Sequence, residues 1–169
     1  AAESTVLLKN EDDLLPLAAG TKVAVIGDFA ETPRYQGAGS SAVNSIKVDS
    51  LLGCWNESGL EQVGFAAGFN RQGKPDAAKQ AEAVALAQKA DVVLLCMGLD
   101  EIKESEGLDR SDMCVAANQI ELLRALQKVN PNIVVVLSAG ASVETSWANH
   151  CKALVYGAWG GQAGAGAML

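Results

Sequence analysis

Aromatic residues make up only 5% of this 169-residue chain, and histidine occurs once, at His150. Ala, Val, Leu and Gly dominate instead, as in α/β sheets built from small residues. The four cysteines, Cys54, Cys96, Cys114 and Cys151, form no CxxC pair. With one histidine and no ligand spacing, a zinc site is not expected, nor any other metal or cofactor. A disulfide framework is not expected either, because a core of this size needs no staple. Thirteen basic residues are scattered against twenty acidic ones, for a net charge of −7. That balance argues against a nucleic-acid surface and against a polybasic membrane patch. No apolar run approaches the roughly 18–20 residues of a membrane span. No charged start followed by an apolar stretch marks a signal peptide. Unpaired cysteines and the missing signal pattern point to a cytoplasmic location. Ala1-Ala2-Glu3 without an initiator Met suggests a start inside a longer chain.

What is present is 49% hydrophobic and enough for one domain with a core. Lys22 to Gly27, Asp91 to Gly98 and Ile133 to Leu137 are aliphatic runs that predict buried parallel strands. Glu61 to Ala67 predicts a strand interrupted by glycine, and Ala153 to Tyr156 a short last one. Between them, Ala77 to Ala90 and Asn118 to Val129 carry strong helix formers, with shorter helices over 48–56 and 142–149. In the second long helix Ile120, Leu123 and Val129 lie near one face, beside Leu122 and Leu126. The tail from Gly157 predicts the start of a glycine-tolerant helix. Strands alternating with helices imply an α/β fold, a mostly parallel sheet of five to six strands with helices on both faces. Five strands are placed, and a sixth is expected beyond the tail. Residues 1–20 are assigned as a linker and 21–169 as the sandwich domain.

Three constellations can carry chemistry. Glu104-Ser105-Glu106-Gly107-Leu108-Asp109-Arg110 follows a strand that ends in glycine, at the sheet edge where α/β proteins bind ligands. Glu106 is the leading candidate for proton transfer. Neighbouring charge from Glu101, Glu104, Asp109 and Asp112 is expected to raise its pKa. Asp109 and Arg110 can pair with each other and shape the loop. From chemistry alone, these carboxylates could equally solvate an exposed loop. The second constellation is Arg34-Tyr35-Gln36-Gly37-Ala38-Gly39-Ser40-Ser41 in a long loop, 28–45. Its glycines let backbone approach a ligand, while Arg34, Tyr35, Gln36 and Ser40 can hydrogen-bond hydroxyls. It matches neither a dinucleotide fingerprint nor a P-loop. Trp159 and Gln162 form the third, where an indole can stack on a sugar or simply pack. His150 is expected to interact with the last carbonyls of its helix.

Taken in order, these segments resemble glycoside hydrolase family 3, the β-glucosidases and β-xylosidases, in their second, α/β-sandwich domain. Glu3 to Asn10 with Leu14-Leu15-Pro16-Leu17 is similar to that family's "ES-x-VLLKN … LPL" opening. Tyr35 to Ser41 resembles its "QG-x-GSS" loop, Glu106-Gly107 through Asp109-Arg110 its "EG-x-DR" loop, and Trp159 to Gln162 its "W-x-x-GQ" segment. The resemblance implies a retaining hydrolase of terminal β-linked sugars, taking an oligosaccharide or β-glycoside as substrate. It implies an aspartate nucleophile on a preceding barrel domain and a general acid/base at Glu106, with Glu104 the alternative position. It also implies that Arg34, Tyr35, Gln36, Ser40, Asp109 and Arg110 line the sugar site. The alternatives are a flavodoxin-like module holding a small ligand between the 28–41 and 99–112 loops, or a structural brace between domains.

Overall fold

The computed structural model describes residues 1–169. Six strands make one sheet: β1 (Val6–Asn10), β2 (Lys22–Ile26), β3 (Glu61–Ala66), β4 (Val92–Gly98), β5 (Ile133–Ser138) and β6 (Ala153–Tyr156). Their spatial order is β1-β6-β5-β4-β2-β3. β2 to β6 pair in parallel, and β1 runs antiparallel on the edge beside β6. Every residue of β4 and β5 is buried, as aliphatic central strands covered on both faces must be.

The chain leaves β2 for β3 on one side, then returns across β2 to β4 and continues through β5 to β6. Right-handed crossovers therefore place α1 (Leu51–Cys54) on the opposite face from α2 (Ala77–Ala87) and α3 (Ala117–Gln127). Contacts agree, since α2 packs on α3 while α1 packs on α4 (Gly164–Met168). Reversal of direction between β2 and β4 makes a topological switch point, where the two following loops part and leave a crevice.

Local chemistry sets the element ends. Asp76 caps α2 by accepting from the Lys79 amide at 3.1 Å, and Ser50 caps α1 by accepting from Gly53 at 3.1 Å. Asn130 donates to the carbonyls of Ala87 and Ala90, so α2 stops at Ala87, short of the expected Ala90. The segment expected as a helix over 142–149 is a 3₁₀ turn at Ser146–His150. From α3, Leu122, Leu123 and Leu126 fill the core, with Ile120 and Val129 at its margin. Cys96 is buried in β4, and burial pushes its thiol up to about 12. All four cysteines are free, and no helix is long and apolar enough to cross a membrane.

Two expectations need correcting. The sixth strand lies at the start of the chain, where residues 6–10 of the assigned linker pair with β6. Val6, Leu7 and Leu8 on this antiparallel edge strand are all exposed, so it shows neither the buried run nor the alternation that marks the other strands. His150 does not meet helix carbonyls. Its ring lies against α3, with Nδ1 2.7 Å from Gln127 Oε1 and Nε2 accepting from Arg124 at 3.3 Å.

The end of β4 is held by a side chain. Gln119, 1% exposed, accepts from the Gly98 amide at 2.9 Å and donates to the Gly98 carbonyl at 3.0 Å. It stands in for the strand that β2, ending earlier, does not supply. Replacing Gln119 with Leu keeps the volume but strands both buried backbone groups. Stability should fall by about 2–4 kcal/mol, seen as a lower urea midpoint at unchanged slope. A midpoint equal to that of the parent would contradict this anchoring.

Candidate active site

The loops after β2 and β4 meet above the switch point. Ala38 and Ser105 form an isolated parallel bridge, and the Glu106 amide donates to Ala38 O at 3.2 Å. Gly39 makes this approach possible. It sits at φ +99°, and a Cβ there would fall 2.7 Å from Glu106 Cβ. The next amide, Ser40 N–H, donates to Glu106 Oε2 at 3.0 Å, and the Ser40 hydroxyl donates to the same oxygen. These two bonds, the hydroxyl first, hold the Glu106 carboxyl below its ordinary value. The expected upward shift is thus reversed, because the two aimed donors outweigh the desolvation that opposes them.

Glu104 and Glu106 lie two residues apart and have opposite surroundings. Glu106 is exposed, while the Glu104 side chain is 3% exposed. Glu104 Oε1 accepts from the amides of Gly140 at 2.8 Å and Ala141 at 2.9 Å. Oε2 accepts from Arg34 Nη2 at 3.0 Å and from the Trp159 indole at 3.2 Å. All of its acceptor positions are taken inside the protein. Trp159 lies over Gly140, where a Cβ would come 2.3 Å from the ring, and the Arg34 guanidinium sits 5.5 Å from the ring centroid.

The expected site residues therefore divide. Ser40, Glu106, Asp109 and Arg110 line one open cleft of about 510 Å³, with Trp159 and the Gly140-Ala141 backbone on its wall. Arg34 turns its guanidinium into the protein. It is buried against Glu104 and donates to Gln36 O at 3.0 Å. Tyr35 and Gln36 turn their polar atoms onto their own loop, with the Gln36 amide paired to both backbone groups of Val43. Asp109 and Arg110 do not pair. Arg110 Nη2 donates instead to Ser142 O at 2.9 Å, while Nη1 is enclosed and unpartnered. Gln162 fastens the 47–49 segment through Lys47 O at 2.8 Å.

A second knot lies beside the cleft. Arg71, 8% exposed, binds Asp28 at 2.6 Å, Glu101 at 2.7 Å and the Thr32 carbonyl, with its guanidinium 4.3 Å above Phe29. Sequence reading passed over it, since a lone Arg in the Asn70-Arg71-Gln72-Gly73 turn carries no local sign of its partners. Gly140 and Ala141 escaped notice for a similar reason, because they act through backbone amides. No three His, Cys, Asp or Glu side chains converge as metal ligands.

Residues 5–169 match the model of the glycosyl hydrolase family 3 C-terminal domain. The chain belongs to glycoside hydrolase family 3. Among relatives of the family 3 domain, an exo-α-(1→6)-L-arabinopyranosidase of Bifidobacterium breve is 44% identical over 99% of this chain and 24% of its own length. Thermostable β-glucosidase B of Acetivibrio thermocellus is 40% identical over 99% of this chain and 23% of its own length. The crystal structure of a family 3 β-glucosidase from Bifidobacterium adolescentis superposes with a TM-score of 0.93 at 48% identity, over 99% of this chain and 25% of that one. The family 3 domain described here spans about a quarter of the length of these relatives.

The hold of Ser40 on Glu106 makes the contact between the two loops depend on pH. A carboxylate whose folded pKa lies below its ordinary 4.5 stabilises the loop contact above that pH. The contribution disappears as pH falls through the depressed folded value. Ser40→Ala removes the larger of the two donors and should raise the Glu106 midpoint toward 4.5, read from its carboxyl ¹³C shift against pH. An unmoved midpoint would show that the hydroxyl does not set it.

Proposed function

We propose that the complete protein is a retaining, exo-acting β-glycosidase and that this domain supplies its general acid/base, Glu106. The supporting observation is the contrast between two neighbouring carboxylates. Both line the open cleft, but Glu106 is exposed with one carboxylate oxygen unengaged, while the Glu104 side chain is 3% exposed and bonded through both oxygens. In the first step Glu106 protonates the glycosidic oxygen as the bond to the anomeric carbon breaks. In the second, the same group, now ionised, takes a proton from the water that releases the sugar.

Retention needs a nucleophilic carboxylate roughly 5–5.5 Å from the acid. That aspartate is assigned to a barrel domain preceding this one, facing the cleft. Its negative charge and the exclusion of water on closure oppose ionisation of Glu106, offsetting the pull of Ser40. Asp109 and Arg110, on the same wall, are assigned to sugar hydroxyls.

The names of the relatives, α-L-arabinopyranosidase, β-glucosidase and, at 35% identity in Aspergillus terreus, probable exo-1,4-β-xylosidase, have one feature in common. An α-L-arabinopyranoside has the ring stereochemistry of a β-D-galactoside without its hydroxymethyl group. All three names therefore describe equatorial glycosidic bonds, and that is the substrate class proposed.

Glu106→Ala in the complete protein should lower kcat on aryl β-glycosides by about 10²–10⁴-fold. Sodium azide should restore part of the rate by entering the space left by the carboxylate and attacking the glycosyl intermediate. Turnover within a few-fold of the parent would refute the assignment.

A further inference from the structure

We propose that Glu104 is the positioning residue for Glu106, an inference that rests on the reading of Glu106 as acid/base. Glu104 draws donors from three other strand-end loops: Arg34 after β2, Gly140 and Ala141 after β5, and Trp159 after β6. Glu104 itself follows β4. One carboxylate thus joins the exits of four adjacent strands.

The segment that carries Glu106 is pinned on either side of it. Upstream is the buried Glu104 side chain, and downstream is Arg110, bound to Ser142 O at 2.9 Å. Between them the backbone is tied across the cleft floor only through Ala38, while Gly107 sits at φ +77° and adds no stiffness of its own. Releasing Glu104 would free the chain two residues from the acid/base. Proton transfer needs its partners placed to within a fraction of an ångström, and a misplacement of 1 Å can cost on the order of 10²-fold.

The position also requires a carboxylate rather than an amide. Four donors converge on its two oxygens, one of them a guanidinium whose side chain is 3% exposed. A glutamine would keep the Gly140 and Ala141 bonds on its oxygen. Its own NH₂ would then face the N–H groups of Arg34 and Trp159, donor against donor. The buried cation would be left without its counter-charge.

The test compares variants of the complete protein on an aryl β-glycoside. Glu104→Gln should lower kcat by about 100-fold while KM changes little. Azide should not restore its rate, because the Glu106 carboxylate still occupies the place an anion would enter. Trp159→Phe keeps the ring and removes one donor. It should fold and lose about tenfold in kcat with the same small change in KM. Parental kcat in Glu104→Gln overturns the inference, and so does azide rescue of that variant, which would make Glu104 a proton donor. Should Glu104→Gln fail to fold, Trp159→Phe decides alone, and a change confined to KM overturns the inference. Glu106→Ala, measured alongside, separates the two claims. Parental turnover there removes the reading beneath, whereas its loss beside an unaffected Glu104→Gln removes the positioning role alone.

Discussion

A parallel strand can be followed by another parallel strand only after the chain has crossed back over the sheet, so each strand releases its loop at the same edge. In this domain that constraint acts on β2 through β6 and gathers the 28–50, 99–116, 67–76, 139–145 and 157–163 segments at one end. The reversal of direction between β2 and β4 then opens a crevice between the first two. Chemistry at this edge follows from topology before any side chain is considered. The aliphatic density of β4 and β5 holds the edge in place, because strands with every residue buried have no low-cost way to slip.

Topology brings the loops together, but it does not hold them there. Loops lack the periodic backbone bonding of the strands, and here two buried charges replace it. Glu104 collects a guanidinium, an indole and two amides, while Arg71 collects two carboxylates and a carbonyl. A buried ion pair adds little stability over an apolar substitute, but its directional bonds specify one arrangement. That use fits a region where the arrangement matters more than its stability. The same economy separates the two acidic residues of the loop. One is desolvated and saturated, and the other stays in the open cleft with half its carboxylate engaged by Ser40.

The fold was largely legible from the chain. Hydrophobic runs such as Val92 to Gly98 and Ile133 to Leu137 announce buried parallel strands, and Asp76 announces the start of α2. β1 was missed because Val6, Leu7 and Leu8 on this edge strand are all exposed and carry no alternation to read. The end of α2 was misplaced because its stop is Asn130, more than forty residues away. In the site, the choice of Glu106 and of the Ser40 loop came from local signals: glycine spacing, and acidic residues after a strand ending in glycine.

The partners of these residues were not legible. Arg34, Tyr35 and Gln36 looked available for a ligand because each is polar in a glycine-rich loop, yet the Arg34 Nη groups turn to Glu104 and Gln36 O, and Tyr35 and Gln36 turn to their own loop. Asp109 and Arg110 are adjacent and oppositely charged, but Arg110 turns toward Ser142. The sequence by itself determined which segments become strands, the edge at which their loops emerge and the chemical types placed there, because periodicity and turn chemistry are local. Which of two nearly identical glutamates is buried and which stays free was decided only by the tertiary structure. That choice depends on donors from residues 34, 140, 141 and 159, which are distant along the chain and meet only when the sheet has formed.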